Sequence, residues 1–274
     1  MAPPHDRQLQ VGIAGLGTIG MAVARRLDAG LPRLILAAVA ARDADRARSR
    51  LAAAGINTAV SSIEALAAQC DVVVECAPAS AFRGIAEAAV TAGCIFMPLS
   101  VGALLDHMDL VELAAAHDVR IIVPTGALLG LDAVRAAAEG EIRSVKLVTR
   151  KPPAGLEGAP YLAERGISLV GLTAPLKLFD GTAREGARGF PANVNVAAAL
   201  ALAGVGPDRT QLEIWADPNL TRNMHSITVD ADSARFSMTI ENVPSDENPR
   251  TGRITALSVI ACLRGLTGDL RVGS

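Results

Sequence analysis

Aromatic residues are scarce: one Trp, one Tyr and five Phe make up 3% of the 274 residues. Half of the chain is nevertheless apolar. The core must therefore be built from Ala, Val, Leu and Ile, which suit helices packed closely on a parallel sheet. Cysteine is sparse too. Cys70, Cys76, Cys94 and Cys262 lie far apart and form no C-x-x-C. That excludes a zinc knuckle and a disulfide framework, and leaves buried thiols in a reducing compartment. The formal net charge is −2 and no dense Lys/Arg block occurs, which argues against a nucleic-acid surface. No window long enough to span a membrane is free of charges or Gly/Pro breaks. Met1–Gln10 is polar and lacks the apolar core of a signal peptide. The expectation is a soluble cytoplasmic protein with no metal, nucleic-acid or membrane partner.

What is present is a rhythm. Apolar, β-branched runs at Leu9–Ala14, Leu34–Ala40, Asn57–Val60, Asp71–Pro78, Cys94–Ser100 and Arg120–Gly126 read as strands. Helical stretches separate them at 19–29, 43–54, 61–69, 81–92 and 106–117. Strands alternating with helices at this spacing predict βαβ units and a parallel sheet. The rhythm changes near Gly126. Strand-like runs follow at 142–150, 211–217, 225–232 and 234–243, some with period-two alternation, interrupted by a helix at about Val194–Ala203. The tail from Thr251 to Leu266 reads as helix again. The fold class expected is α/β: a doubly wound parallel-sheet domain over 1–126, completed by 251–274. A second α/β domain over 127–250 carries a mixed, largely antiparallel sheet, the substrate site and a dimerisation surface.

"VGIAGLGTIG" (11–20) follows the first strand and opens a helix. Its Gly15-x-Gly17-x-x-Gly20 is the dinucleotide fingerprint in the required strand–turn–helix context. Gly15 permits the tight turn, Gly17 lets backbone approach a pyrophosphate, and Gly20 lets helix and strand pack. Thr18 and Ile19 supply N–H groups at the helix start. This is a Rossmann nucleotide site for NAD or NADP. An acid usually ends the second strand to bond the ribose 2′-OH. Here Ala40 and Ala41 stand there and Arg42 follows, a residue suited to a 2′-phosphate. Asp43 is either a ribose acid or a helix cap. Ala77 and Pro78 end the fourth strand, where ligands of open α/β sheets lie. Gly126 and Ala127 end the last strand of the first domain.

A hydride enzyme also needs a group that orients substrate and moves a proton. Of four histidines, His5 lies in the tail, and His107 and His117 lie in or beside a surface helix. His225 lies in "ADPNLTRNMHSI", between strands of the second domain, and is the candidate acid/base. Asn193 and Asn195 begin the Ala-rich helix, as caps or as amides turned to a ligand. Arg150 and Lys151 end a strand and are candidates to pair a substrate carboxylate.

"PTGALLGLDAVRAAA" (124–138), "TRKPP" (149–153), "FPANVNVAAALALAG" (190–204), "ADPNLTRNMH" (216–225) and "ENVPSDENPRTGRITALSV" (241–259) together resemble the L-aspartate dehydrogenase family. The resemblance covers nearly the whole chain. It implies a Rossmann domain plus an α/β substrate domain, often in a homodimer. It implies NAD(P)-dependent oxidation of L-aspartate to iminoaspartate, which hydrolyses to oxaloacetate and ammonia, and the reverse amination. In some organisms the imine feeds NAD synthesis. The family's active-site histidine falls on His225. Its nucleotide-contacting Ala and Asn fall on Ala127 and on Asn195 or Asn193, Asn195 being preferred. Some members carry an acid at the end of strand two, absent here. The alternatives are a homoserine dehydrogenase or dihydrodipicolinate reductase type of enzyme, or a non-catalytic NAD(P)-sensing protein.

Overall fold

Glycine and short apolar runs divide the chain into strands that end in tight turns. The structure is a computed structural model and describes residues 7–191, 194–245, 247–248 and 251–273. The chain separates into two units, Met1–Pro124 with Ala256–Ser274, and Thr125–Thr255.

In the first unit the order is β1 (Leu9–Ala14), α1 (Thr18–Asp28), β2 (Leu34–Ala40), α2 (Ala44–Ala53), β3 (Ala59–Ser61), α3 (Ile63–Ala67), β4 (Val72–Glu75), α4 (Phe82–Thr91), β5 (Ile95–Pro98), α5 (Val101–Leu104) and α6 (Asp109–Ala116). The five strands form one parallel sheet in the order β3-β2-β1-β4-β5. Winding reverses between β1 and β4, so their carboxyl ends flank the crevice where such sheets bind ligands. Val11, Ile13, Val72, Val74 and Met97 form the core. Val259, Ile260 and Leu263 of the C-terminal helix α11 (Arg253–Thr267) join the same cluster. The strand expected over Arg120–Gly126 is not formed. One bridge, Phe96 to Ile121, is all that remains. Pro124 has no N–H to extend the ladder.

The second unit holds α7 (Leu131–Ala138), β6 (Ile142–Lys151), α8 (Pro160–Glu164), β7 (Leu176–Thr182), α9 (Ala183–Gly189), α10 (Asn195–Ala203), β8 (Thr210–Ala216), β9 (Asn223–Ala231) and β10 (Arg235–Asn242). Its sheet runs β10-β9-β6-β8-β7. Only β6 and β8 are parallel; the other pairs are antiparallel. Alternation sets two faces. Val145, Leu147, Leu212, Ile214, Ile227 and Val229 are buried on the side where α7, α9 and α10 contact strands or one another. Residues between them are partly exposed. β7, α7, α8 and α9 were not expected from the sequence. α9 contains two glycines and is fixed by its start: Thr182 and Glu185 form a reciprocal capping box. The single Tyr packs against two phenylalanines, Tyr161–Phe190 at 5.1 Å and Tyr161–Phe179 at 5.6 Å between ring centroids, which ties α8 to β7 and to the end of α9.

Candidate active site

The glycine turn has the geometry its residues demand. Gly15 adopts φ +100°, and its N–H donates to the Ala40 carbonyl at 2.7 Å. A Cβ on Gly15 would meet the Cys76 carbonyl at 2.6 Å and the Ala77 nitrogen at 2.7 Å. A Cβ on Gly20 would collide with the Gly15 carbonyl oxygen. Gly17 differs: a Cβ there would meet open space. Gly17 is also the N-cap of α1, makes no side-chain cap bond, and no acid follows in the first turn that Thr18, Ile19 and Gly20 begin. A helix start capped by backbone alone, with open space over its glycine, fits a pyrophosphate.

Beyond β2, Ala41 and Arg42 follow the strand, and Arg42 is exposed. Asp43 is the cap of α2, accepting the Arg46 N–H at 2.9 Å. The cap reading is borne out; the bond engages one carboxylate oxygen and does not test the ribose reading. Arg50 of α2 reaches back and donates to the Leu16 carbonyl, tying α2 to the glycine turn. Ala77 and Pro78 follow β4, as expected, with Ala77 half-buried and Pro78 exposed. The Ala77 N–H is taken by Glu75, at 2.8 Å.

In the second unit the strand register brings one cluster together. β9 lies against β6 with His225 opposite Thr149. The His225 Nδ1 is 3.0 Å from the Thr149 Oγ1, and the residue is only 2% exposed. Burial, then the positive charge of Lys151, lowers its pKa from the ordinary 6.5 to about 3. The imidazole is therefore neutral at physiological pH. Lys151 lies two residues beyond Thr149 on the same buried side of β6. Gly155 sits beside its stem: a Cβ there would lie 3.8 Å from the Lys151 Cβ and 3.9 Å from its Cδ. The other described histidines differ. His107 is half-buried, stacked on Phe82 and beside Arg83, and His117 is exposed.

Arg150 does not join this cluster. It occupies the alternate face of β6, stacks on Trp215 at 4.7 Å and pairs with Asp217 at 3.5 Å. Strand alternation separates it from Lys151. Asn195 is the first helical residue of α10 and is exposed, while Val194 holds the cap position. Asn195 is thus not the cap. Asn193 lies outside the described residues. The Ala127 carbonyl accepts from Asn242 Nδ2 at 2.9 Å, and Asn242 is 3% exposed. Sequence reasoning missed Thr149, Asn242 and Glu75. Thr149 and Asn242 lie within motifs quoted above, but only register reveals their partners.

A glycine-turn nucleotide unit and a mixed-sheet unit with a buried neutral histidine define an NAD(P)-dependent oxidoreductase. Residues 15–124 match the family described as homoserine dehydrogenase, NAD binding domain. Residues 132–266 match aspartate dehydrogenase, C-terminal. The chain is 58% identical to an L-aspartate dehydrogenase of Bradyrhizobium diazoefficiens, over 97% of this chain and 95% of that one. It is 53% identical to L-aspartate dehydrogenase 3 of Bordetella bronchiseptica, over 97% and 98%. A crystal structure of aspartate dehydrogenase from Thermotoga maritima has the same fold, with TM-score 0.75 and 22% identity over 97% of this chain and 99% of that one. The chain belongs to the L-aspartate dehydrogenase family.

Proposed function

We propose that this protein oxidises L-aspartate with NAD or NADP, giving iminoaspartate and, after hydrolysis, oxaloacetate and ammonium, and that it runs the reverse amination. The carrying observation is His225: buried, neutral, held by Thr149 and flanked by Lys151, in the part of the chain that matches the aspartate dehydrogenase C-terminal family. When bound, the nicotinamide cofactor accepts the hydride from the substrate carbon. Gly15, Gly17, Thr18, Ile19 and Gly20 hold its pyrophosphate. Ala77, Pro78, Ala127 and Asn195 or Asn193 contact the rest of it.

The other steps belong to side chains. Lys151 pairs a substrate carboxylate; Arg150 does not, because Asp217 and Trp215 hold it on the other face. Thr149 fixes Nδ1 of His225, leaving Nε2 for proton chemistry. In the ligand-free protein Lys151 helps keep that ring unprotonated. A dicarboxylate beside Lys151 opposes its charge and raises the basicity of His225. The substrate ammonium first loses one proton to solvent, so that hydride loss leaves an iminium. His225 takes a proton from the water that adds to the iminium carbon and returns it to the nitrogen; the C–N bond then breaks and the hydroxyl proton passes to the departing ammonia. One water is consumed, its oxygen stays in oxaloacetate, and one ammonium and one proton are released.

Arg42 beside Ala40 and Ala41, with Asp43 engaged as the α2 cap, supports acceptance of NADP as well as NAD. The partly exposed face of the second sheet supports a homodimer. It carries Val148 and Trp215 and the hydroxyl pairs Ser226–Thr239 and Thr228–Ser237. Among the described residues no helix is long and apolar enough to cross a membrane, and the reading is of a cytoplasmic enzyme. Initial rates with L-aspartate and each oxidised cofactor, and with oxaloacetate plus ammonium and each reduced cofactor, test the function. No turnover in any combination refutes it. Arg42→Ala should lower kcat/KM with NADP about tenfold and leave the NAD value unmoved.

A further inference from the structure

Glu75 ends β4 with 0% exposure, and no step above uses it. Its Oε1 accepts the Ala77 N–H at 2.8 Å and the Ser100 hydroxyl at 3.1 Å. Its Oε2 accepts the Ser100 N–H at 3.0 Å. Its own carbonyl accepts the Leu99 N–H at 3.0 Å. One side chain thus joins the turn after β4 to the turn after β5. Burial pushes its carboxyl upward, while the bonds from Ser100 and Ala77 pull the other way by favouring the carboxylate.

The location matters more than the bonds. β1 and β4 flank the reversal of the sheet. The Ala77 nitrogen that Glu75 holds is one of the atoms a Gly15 Cβ would strike, at 2.7 Å. The glycine turn is therefore seated directly on the peptide that Glu75 fixes. With its N–H held by Glu75 and its carbonyl accepting from the Ser100 hydroxyl at 3.2 Å, Ala77 meets a ligand through its methyl group and the other lone pair of that carbonyl.

We infer that Glu75 is a positioning residue for the dinucleotide, acting through the Ala77 peptide and Ser100 to hold the Cys76–Pro78 turn against the glycine turn. This rests on the nucleotide reading of Gly15–Gly20. Glu75→Gln retains one acceptor oxygen but turns an NH2 toward backbone donors, so one buried N–H loses its partner. Ser100→Ala removes one hydroxyl, which lies 3.1 Å from Glu75 Oε1 and 3.2 Å from the Ala77 carbonyl oxygen. The test titrates the full-length protein with NADH and NADPH, with KM for L-aspartate, kcat and cofactor-free Tm measured alongside.

In Glu75→Gln the Kd for both nucleotides should rise about tenfold, with about threefold in Ser100→Ala. KM for the cofactor should follow Kd, and KM for L-aspartate should not move. A purely structural knot would lower Tm and leave Kd at the wild-type value; that result overturns the proposal. If Glu75→Gln does not fold, Ser100→Ala decides, and an unchanged Kd there overturns it equally. Wild-type protein that binds neither nucleotide would instead overturn the glycine-turn reading, and Glu75's role with it. The two failures are distinguished by the wild-type titration.

Discussion

β4 is buried along its whole length, whereas β6 beyond Val145 buries every second residue. In β4 and in β1 from Val11 onward, side chains of the parallel first sheet are core, and the groups singled out above lie at or beyond the strand ends: Gly15–Gly20, Glu75 and Ala77. In the second sheet one face carries core and then, farther along the same strands, Thr149, Lys151 and His225. The opposite face carries Arg150, Trp215 and Glu213. A parallel sheet offers a ligand its ends and backbone. A mixed sheet offers side chains from its faces, so two neighbouring residues can serve different purposes. Lys151 and Arg150 are adjacent in sequence and lie on opposite faces of the sheet.

The sharpest way to break this contrast is to remove the side-chain chemistry and keep the backbone site. His225→Ala should lower kcat by about 10²–10⁴ with NADH affinity unchanged; turnover near wild type would remove its acid/base role. In the first unit the reverse should hold, with backbone geometry deciding. Gly20→Ala forces a Cβ into the Gly15 carbonyl and should destabilise the fold by about 2–4 kcal/mol, read as a lowered Tm. Gly17→Ala has open space around it. It should keep Tm and lose nucleotide affinity, because its methyl occupies the phosphate approach. Equal Tm losses in both would show that the turn has no ligand-facing side.

A further effect, on stability alone, concerns pH. The folded-state pKa of His225 is about 3 against an ordinary 6.5, so the unfolded chain takes up this proton first. The contribution to stability is complete above about pH 6.5 and is lost progressively as pH falls toward 3, by about 3 kcal/mol at pH 4. Urea unfolding of wild type and His225→Gln from pH 7 to pH 4 should show the difference between them shrinking by that amount. Parallel curves would mean that the imidazole is protonated in the folded protein or hydrated.

Much of the first unit was legible because short-range rules decide it. Leu9–Ala14 and Leu34–Ala40 form strands over the residues read from their apolar runs, and Gly15, Gly17 and Gly20 each meet a different local demand. The 120–126 segment misled because its β-branched run ends at Pro124, which cannot donate. In the second unit α10 was legible from its alanines, but β7 and α9 were not. α9 has two glycines, and its stability lies in a cap and in packing on β7 and β8. Lys151 and Arg150 were equal candidates in sequence; strand alternation parted them.

The sequence by itself determined the nucleotide turn, the alternation of strand and helix, and the presence of one histidine outside the tail and the surface helix. Those depend on neighbours within a few residues. Only the tertiary structure decided that Thr149 meets His225 across 76 positions and that Glu75 ties two turns together. Such pairings depend on which strands lie side by side and in which register. Hydrogen bonds reach about 3 Å, so a one-residue slip would turn each of these side chains to the other face.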